Sequence, residues 1–233
     1  MTYVLFWDID GTLLTTGRAG IFAWRDALRE TCGVDVDLET FQTSGLTDAE
    51  IAAELVAEVG GDPGLAEPAL RHYEEVLAGR LRLRQGAVLP GVAEILASVA
   101  DRDDIVSLLL TGNTPRGAAA KLAHYGLDGQ LGAGAFCEGP GERVEIARRA
   151  LALATELLGA EPDLARTYVI GDTVHDVRCG KAIGARTVAV AGTISAAELA
   201  AEVPWLLLEG LPPPGEFLLR LGIAPGAARP RST

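Results

Sequence analysis

The sequence predicts an α/β protein in which a parallel sheet flanked by helices is interrupted early by an all-helical block. Three observations carry this reading. An apolar run, Val4-Leu5-Phe6-Trp7, ends in Asp8-Ile9-Asp10-Gly11-Thr12; about 70 residues of helical spacing follow without a strand signal; and from Pro90-Gly91 onward apolar strand runs alternate with helical stretches.

Large apolar residues in succession suit a strand buried on both faces, and Gly11 lets the backbone turn where the strand ends. Side chains two apart on a strand emerge on one face, roughly 6.6 Å from each other. Asp8 and Asp10 would thus bracket one tetrahedral phosphoryl group, one placed to attack and the other to protonate a leaving oxygen. Asp, Gly and Thr are equally ordinary turn residues, so this stretch alone leaves a polar turn open.

Behind it, residues 17–33 carry Ile21, Phe22, Trp24, Ala27 and Leu28 at helical spacing. Thr47 with Glu50 reads as a capping box opening a helix over 48–59, closed by Gly60, Gly61 and Pro63, and a third helix is expected over 65–83. The block from 15 to 85 reads as a helical lid domain with Gly17 and Gly86 as hinges, leaving 1–14 and 86–233 as the α/β core. In that core the pattern predicts helices over 92–100, 115–125, 143–158 and 174–183, and strands over 105–110, 135–136, 167–170 and 187–190. Residues 198–201, 205–208 and 215–221 suggest helix, strand, helix, and 225–233 a frayed terminus.

With 233 residues the chain suits a core domain carrying an insertion. Its 20 Lys plus Arg against 32 Asp plus Glu give a net charge of −12, the wrong sign for nucleic acid or an anionic membrane surface, so an anionic ligand would need local cations or a metal. Cys32, Cys137 and Cys179 are odd in number and contain no CxxC, which suggests neither a zinc site nor a disulfide framework. The start of the chain lacks a basic region before its short apolar run, and no apolar segment reaches membrane-spanning length. A cytoplasmic protein, monomeric or homodimeric, with no nucleic-acid or membrane partner is expected.

In an open parallel sheet ligands collect at the carboxyl ends of the strands. There the sequence places Asp8 and Asp10; then Thr111, Gly112 and Asn113; then Gly171, Asp172, Thr173, His175 and Asp176. Pro115 suits a first helical position, so Thr111 to Asn113 could hold a phosphate oxygen with a hydroxyl and free amides, although Asn113 or Thr114 would also serve as a plain helix cap. Carboxylates converging at 4 Å repel by roughly 4 kcal/mol per pair at an effective dielectric near 20. A divalent cation is the simplest remedy, and all-oxygen ligation without His or Cys points to Mg²⁺, which keeps waters and often a substrate phosphate oxygen. A phosphate ester follows as the substrate class, since a cation must screen a carboxylate from a phosphoryl dianion.

These residues resemble the haloacid dehalogenase-like (HAD) superfamily of aspartate-nucleophile phosphohydrolases, over nearly the whole chain. Its first motif, DxDGT and an apolar residue, matches Asp8 to Leu13; its second, a Thr or Ser ending a strand, matches Thr111; its fourth, GDxxxD, matches Gly171 to Asp176. The third motif is a basic residue ahead of the fourth, most often Lys, and here the best match is Arg143; Lys121 lies on an earlier helix, and Arg148 and Arg149 lie deeper in theirs.

The resemblance implies a Rossmann-like core and roles for each matched residue. Asp8 would be the nucleophile, Asp10 the general acid and then base, and Thr111 and Arg143 would hold phosphoryl oxygens beside Gly112 and Asn113. Asp8, Asp172 and the backbone carbonyl of Asp10 would hold Mg²⁺, and Asp176 would support the metal through water or position Arg143. The helical insertion looks like the cap of the phosphoglycolate phosphatase-like branch, with a small phosphorylated metabolite as substrate. Within it Arg18, Arg25, Thr43, Ser44, Gly45 and Thr47 are candidates to face the substrate, while Trp24, Phe22 and Phe41 read as cap core. A β-phosphoglucomutase-like phosphomutase would share every core residue, and a non-catalytic phosphate-binding protein is the reading from another class. Asp10 argues against a dehalogenase, and the lack of a cap lysine against a phosphonate hydrolase.

Overall fold

The computed structural model describes residues 2–38, 40–141 and 143–224; the expected frayed terminus at 225–233 lies outside the described residues. In chain order the elements are β1 (Tyr3–Trp7), β2 (Leu14–Thr15), α1 (Ala19–Cys32), α2 (Asp48–Glu58), α3 (Ala66–Arg82), β3 (Ala87–Val88), α4 (Val92–Ala100), β4 (Ile105–Leu110), α5 (Pro115–Tyr125), β5 (Gly134–Ala135), α6 (Arg143–Leu158), β6 (Thr167–Gly171), α7 (Val174–Ala182), β7 (Arg186–Val190), α8 (Ala196–Ala201), β8 (Leu206–Leu208) and α9 (Pro214–Arg220). The α/β class and the helical insertion agree with the sequence reading, and most boundaries fall within two residues of it.

Six strands form one Rossmann-like parallel sheet in the order β5-β4-β1-β6-β7-β8. β1 lies between β4 and β6, pairing Trp7 with Leu109 on one side and with Ile170 on the other. The chain leaves β1 and returns to opposite sides of it, which opens a crevice at its carboxyl end.

Period-two alternation divides the apolar residues of β1 between two cores. Leu5 and Trp7 join Val92, Ile95, Leu122 and Phe217 on one face, and Val4 and Phe6 join Leu108, Ile146, Ala150 and Val169 on the other. Trp7 and Phe6 are fully buried, and each such side chain contributes on the order of 1.5–3 kcal/mol of transfer free energy. This burial fixes the register that delivers Asp8 and Asp10 to the sheet's rim.

The helices α1, α2 and α3 build a further apolar cluster around Trp24, Leu28, Leu55, Tyr73 and Leu77, against which Ala120 and Tyr125 of α5 pack. Trp24 and Tyr73 stack with centroids 4.1 Å apart and planes 9° apart. The expected capping box is present: Thr47 Oγ1 accepts from the Glu50 amide at 3.2 Å, and the Glu50 carboxylate accepts from the Thr47 amide at 2.7 Å.

One feature had no hydrophobic signature to reveal it. β2 and β3 pair antiparallel through Leu14 with Val88 and Thr15 with Ala87, closing the chain's exit into the helices against its return. A β-carbon at Gly17 would stand 2.2 Å from the Gln85 carbonyl, and one at Gly86 2.1 Å from the Thr15 carbonyl. Both glycines are therefore required by the close passage of two backbones.

Candidate active site

Every position of the DxDGT stretch has a structural task. The Asp8 amide donates to the Ile170 carbonyl at 3.0 Å, carrying the sheet's pairing one residue past β1, while Ile9 is buried in the core. Gly11 turns with φ +82° and its amide donates to Leu14 O at 2.9 Å; a β-carbon there would stand 2.1 Å from Asp172 Oδ2. Thr12 is fully buried, and its hydroxyl donates to Asp172 Oδ1 at 3.1 Å.

The end of β6 supplies the next carboxylates. Thr173 caps α7 and forms a box with Asp176: the Thr173 amide and hydroxyl donate to Asp176 Oδ2 at 3.0 and 2.7 Å, and the Asp176 amide donates to Thr173 Oγ1 at 3.3 Å. The fourth-motif spacing is thus first a helix cap. It occupies Oδ2 of Asp176 and turns Oδ1 to the site.

Arg143, the first residue of α6, meets that oxygen. Its Nη2 donates to Asp176 Oδ1 at 2.7 Å and stands 3.2 Å from Asp8 Oδ1, while Nη1 donates to the Gly45 carbonyl at 3.3 Å. Its Nε is buried without a partner. Burial opposes the charge, but Asp176 and Asp8 outweigh it and hold the guanidinium pKa above its ordinary value. The rival arginines lie outside the site: Arg148 pairs with Glu145 and Arg149 with Glu138, all exposed.

At the end of β4, Thr111 Oγ1 accepts from both the Asn113 amide, at 3.3 Å, and its Nδ2, at 2.8 Å, which leaves the Thr111 O–H to donate elsewhere. Asn113 does not cap α5. Thr114 does, accepting from the Gly117 amide at 3.1 Å, so Asn113 is released to donate through Nδ2 to Asp10 Oδ2 at 2.8 Å. Gly112 is confined, since a β-carbon there would stand 3.0 Å from Arg143 Nη1.

Oxygens of Asp8, Asp172 and Asp176 lie within 4.8 Å of one another, and all three residues are buried. Burial, then the charge of Asp176, raises Asp8 well above the ordinary carboxylate range despite Arg143; the same two causes push Asp172 up to about 7. Asp172 Oδ2 is buried with no hydrogen-bond partner. An orphaned carboxylate oxygen within a cluster of all-oxygen donors fits a hard divalent cation, which would be held by Asp8, Asp172 and Asp176.

Two residues of the site escaped the sequence reading. Lys121 was set aside because it lies on the earlier helix α5, yet it is buried, and its Nζ donates to Asp10 Oδ2 at 2.6 Å and to Asn113 Oδ1 at 2.5 Å. Burial pulls its pKa down, but the carboxylates of Asp10 and Asp48 overcome this and raise it. The legible signal was position: Lys121 follows Gly117 by four residues on one face of α5, the helix that opens two residues after Asn113. Asp48, at the start of α2, accepts from the Thr114 amide at 2.8 Å, and its own amide donates to Gly112 O at 2.8 Å. Burial lifts its carboxyl to about 6, with Lys121 opposing.

Above the cluster lies a cavity of ≈ 370 Å³ bounded below by Asp8, Asp10, Thr111, Lys121 and Arg143 and above by residues of the helical block. Of the candidates there, Arg18, Thr43, Ser44 and Gly45 line it, whereas Thr47 is spent on its capping box and Arg25 lies over the Phe22 ring, 5.3 Å from its centroid. Trp24 and Phe41, expected as core, do pack there but also border the cavity. His175 is half-buried against Gly45; His72 faces Glu75 and His124 the Tyr125 ring, both away from the cavity.

Comparison with known proteins gives the family and the fold. The family model described as haloacid dehalogenase-like hydrolase matches residues 5–181. No curated protein matches the sequence. Among solved structures, CbbY from Rhodobacter sphaeroides in complex with phosphate is 21% identical with a TM-score of 0.73, covering 90% of this chain and 95% of its own. A variant of CbbY has been solved with xylulose-(1,5)bisphosphate, at the same identity, TM-score and coverages. A predicted phosphoglycolate phosphatase from Haemophilus somnus is 13% identical with a TM-score of 0.70, covering 94% and 98%. At these identities the likeness concerns the fold; the family match spans most of the chain, from before Asp8 to beyond Asp176. The chain belongs to the haloacid dehalogenase-like hydrolases.

Proposed function

We propose that this hydrolase is a Mg²⁺-dependent phosphatase that cleaves a small phosphomonoester through an aspartyl-phosphate on Asp8. The observation that carries the reading is the contact of Arg143 with both Asp8 and Asp176 within the buried carboxylate cluster at the floor of the cavity. A phosphoryl group there meets a nucleophile, a cation and a hydroxyl donor together.

In the first step an Asp8 oxygen attacks phosphorus, the bond to the ester oxygen breaks, and Asp10 gives that oxygen its proton. In the second, Asp10 takes a proton from water as the water oxygen attacks phosphorus, which frees Asp8 and releases phosphate. The Thr111 hydroxyl and the Arg143 guanidinium hold the phosphoryl oxygens, with Gly112 and Asn113 shaping the turn that presents them. Held by Asp8, Asp172, the Asp10 carbonyl and, more remotely, Asp176, Mg²⁺ would screen the charge between the nucleophile and the phosphoryl group.

The helical block, 15–85, acts in this reading as a cap that admits and selects the substrate. Its own apolar cluster, which meets the core at Ala120 and Tyr125 of α5, and its attachment through the paired crossing at Gly17 and Gly86, support a body able to move against the core. A cavity of ≈ 370 Å³ suits a small phosphorylated metabolite, in keeping with the phosphoglycolate phosphatase-like branch. No helix among the described residues is long and apolar enough to cross a membrane; a cytoplasmic location is part of the proposal.

The test is phosphate release from 4-nitrophenyl phosphate and from a panel of sugar phosphates, phosphoglycolate, nucleotides and pyrophosphate, with and without Mg²⁺. Mg²⁺-dependent release is expected. Its absence across the panel, or its persistence in Asp8→Asn, would overturn the reading.

A further inference from the structure

Asp10 carries the proton in both steps proposed above, yet it sits on the exposed side of the turn, with 44% of its side chain open to solvent. An unsupported carboxyl there would sample several rotamers and serve poorly as an acid with a fixed direction. The structure supplies the support from α5. Lys121 Nζ and Asn113 Nδ2 both donate to the same oxygen, Oδ2, at 2.6 and 2.8 Å.

The two donors also hold each other. Asn113 Oδ1 accepts from Lys121 Nζ at 2.5 Å, and Asn113 Nδ2 donates in addition to Thr111 Oγ1 at 2.8 Å. This arrangement fixes the amide's orientation, since its oxygen faces an ammonium and its nitrogen faces two acceptors. It also joins the proton carrier and the phosphoryl-holding hydroxyl in one network. Lys121 is buried with its ammonium at the cavity wall, and it is bonded to Asp10 rather than to the Asp8, Asp172 and Asp176 cluster.

We propose that Lys121 is a positioning residue that, with Asn113, anchors Oδ2 of Asp10 and so directs Oδ1 at the leaving oxygen of the ester. The inference rests on the phosphatase reading and adds to it a residue outside the matched family motifs. Lys121 touches neither ester nor phosphoryl group; it acts through the direction of Asp10.

Leaving-group chemistry separates this role from a merely structural one. 4-Nitrophenolate departs without a proton, whereas an alkoxide does not, so aim at the leaving oxygen matters only for the alkyl ester. The experiment compares wild type with Lys121→Met, which keeps the buried stem and removes the ammonium. It measures the first-turnover rate on 4-nitrophenyl phosphate and on an alkyl phosphate such as glycerol phosphate, at saturating substrate and Mg²⁺. The expected result is a loss of about ten- to a hundredfold on the alkyl ester and less than about threefold on the aryl ester, a part of what a general acid contributes. The ratio of the two rates is independent of the fraction folded, so partial misfolding leaves the test intact. Equal losses on both esters, or no loss on either, would overturn the role of Lys121 and leave the phosphatase reading standing. Failure of wild type on both esters would remove that reading and this inference together.

Discussion

Arg143 Nη2 is shared between Asp176 Oδ1, at 2.7 Å, and Asp8 Oδ1, at 3.2 Å, so one nitrogen ties the helix-capping carboxylate to the proposed nucleophile. Nη1 meanwhile reaches Gly45 O. Arg143→Ala is expected to lower turnover by at least about a hundredfold, the size seen when one charge-stabilising donor is lost. Arg143→Lys should recover only part of this, because a single ammonium cannot span the contacts made by two guanidinium nitrogens. Arg148→Ala and Arg149→Ala should stay near wild type; steady-state kinetics on one phosphoester checks all four, and a reversed order would displace Arg143 from the third-motif position.

Asp8→Asn should abolish turnover while leaving the fold, since the amide keeps the size of the side chain and removes the nucleophile. Circular dichroism beside the activity assay checks both halves. Near-native turnover in a folded, metal-binding variant would remove Asp8 from its role.

Saturating Mg²⁺ should raise the melting temperature of the wild type and raise that of Asp172→Ala far less, because Asp172 brings the one buried carboxylate oxygen of the cluster without a partner. Thermal melts across a Mg²⁺ titration test this. An unshifted wild-type melt would count against the site.

The pH dependence follows from Asp172, whose carboxyl moves from 3.8 to about 7 on folding, with Asp8 raised in the same direction. Between those values the folded chain binds more protons than the unfolded one, so stability falls as pH rises. In a chelator, the melting temperature should decline from about pH 4 to about pH 7, where ionised carboxylates replace neutral ones. Added Mg²⁺ should restore more at pH 8 than at pH 5, since the ion occupies the place the proton leaves; a melting temperature that rises across this window in the chelator would contradict the assignment.

Gly11→Ala should disable the carboxylate cluster without touching a ligand. A β-carbon would stand 2.1 Å from Asp172 Oδ2, and φ of +82° strains any L side chain. A stability loss of at least about 1 kcal/mol is expected, together with loss of the Mg²⁺-induced shift. Denaturant melts with and without the ion measure both, and an unchanged shift would show that the turn can yield.

Most of the fold was legible because strands buried on both faces and amphipathic helices write different periods into the chain, and the proposed site because its carboxylates sit at strand ends, close to glycines. β2 and β3 were not legible, since two residues of strand are too few to show any period. Lys121 was missed for a different reason. Family motifs are linear, whereas its contact with Asp10 crosses 111 positions and depends on α5 folding back beside β1. Either Asn113 or Thr114 could have capped the helix by sequence, and the structure gives that task to Thr114. Asp48 lay within a recognised capping box, which accounted for its surroundings and concealed its second partner across the crevice.

The paired bonds of Asp48 have a consequence for timing. Its amide bonds to Gly112 O and its carboxylate accepts from Thr114 N–H, so the turn that carries Thr111 is completed by a residue of the helical block. Swinging α2 outward would strip both groups of their partners until water replaced them, and intramolecular bonds of this kind are each worth about 0.5–1.5 kcal/mol net. The open form would then be short-lived as well as incomplete: ester bonds could enter, but the groups that grip phosphate would come into register only on reclosure. In the proposed cycle, escape of inorganic phosphate would require the same two bonds to break again, so entry and departure would share one cost.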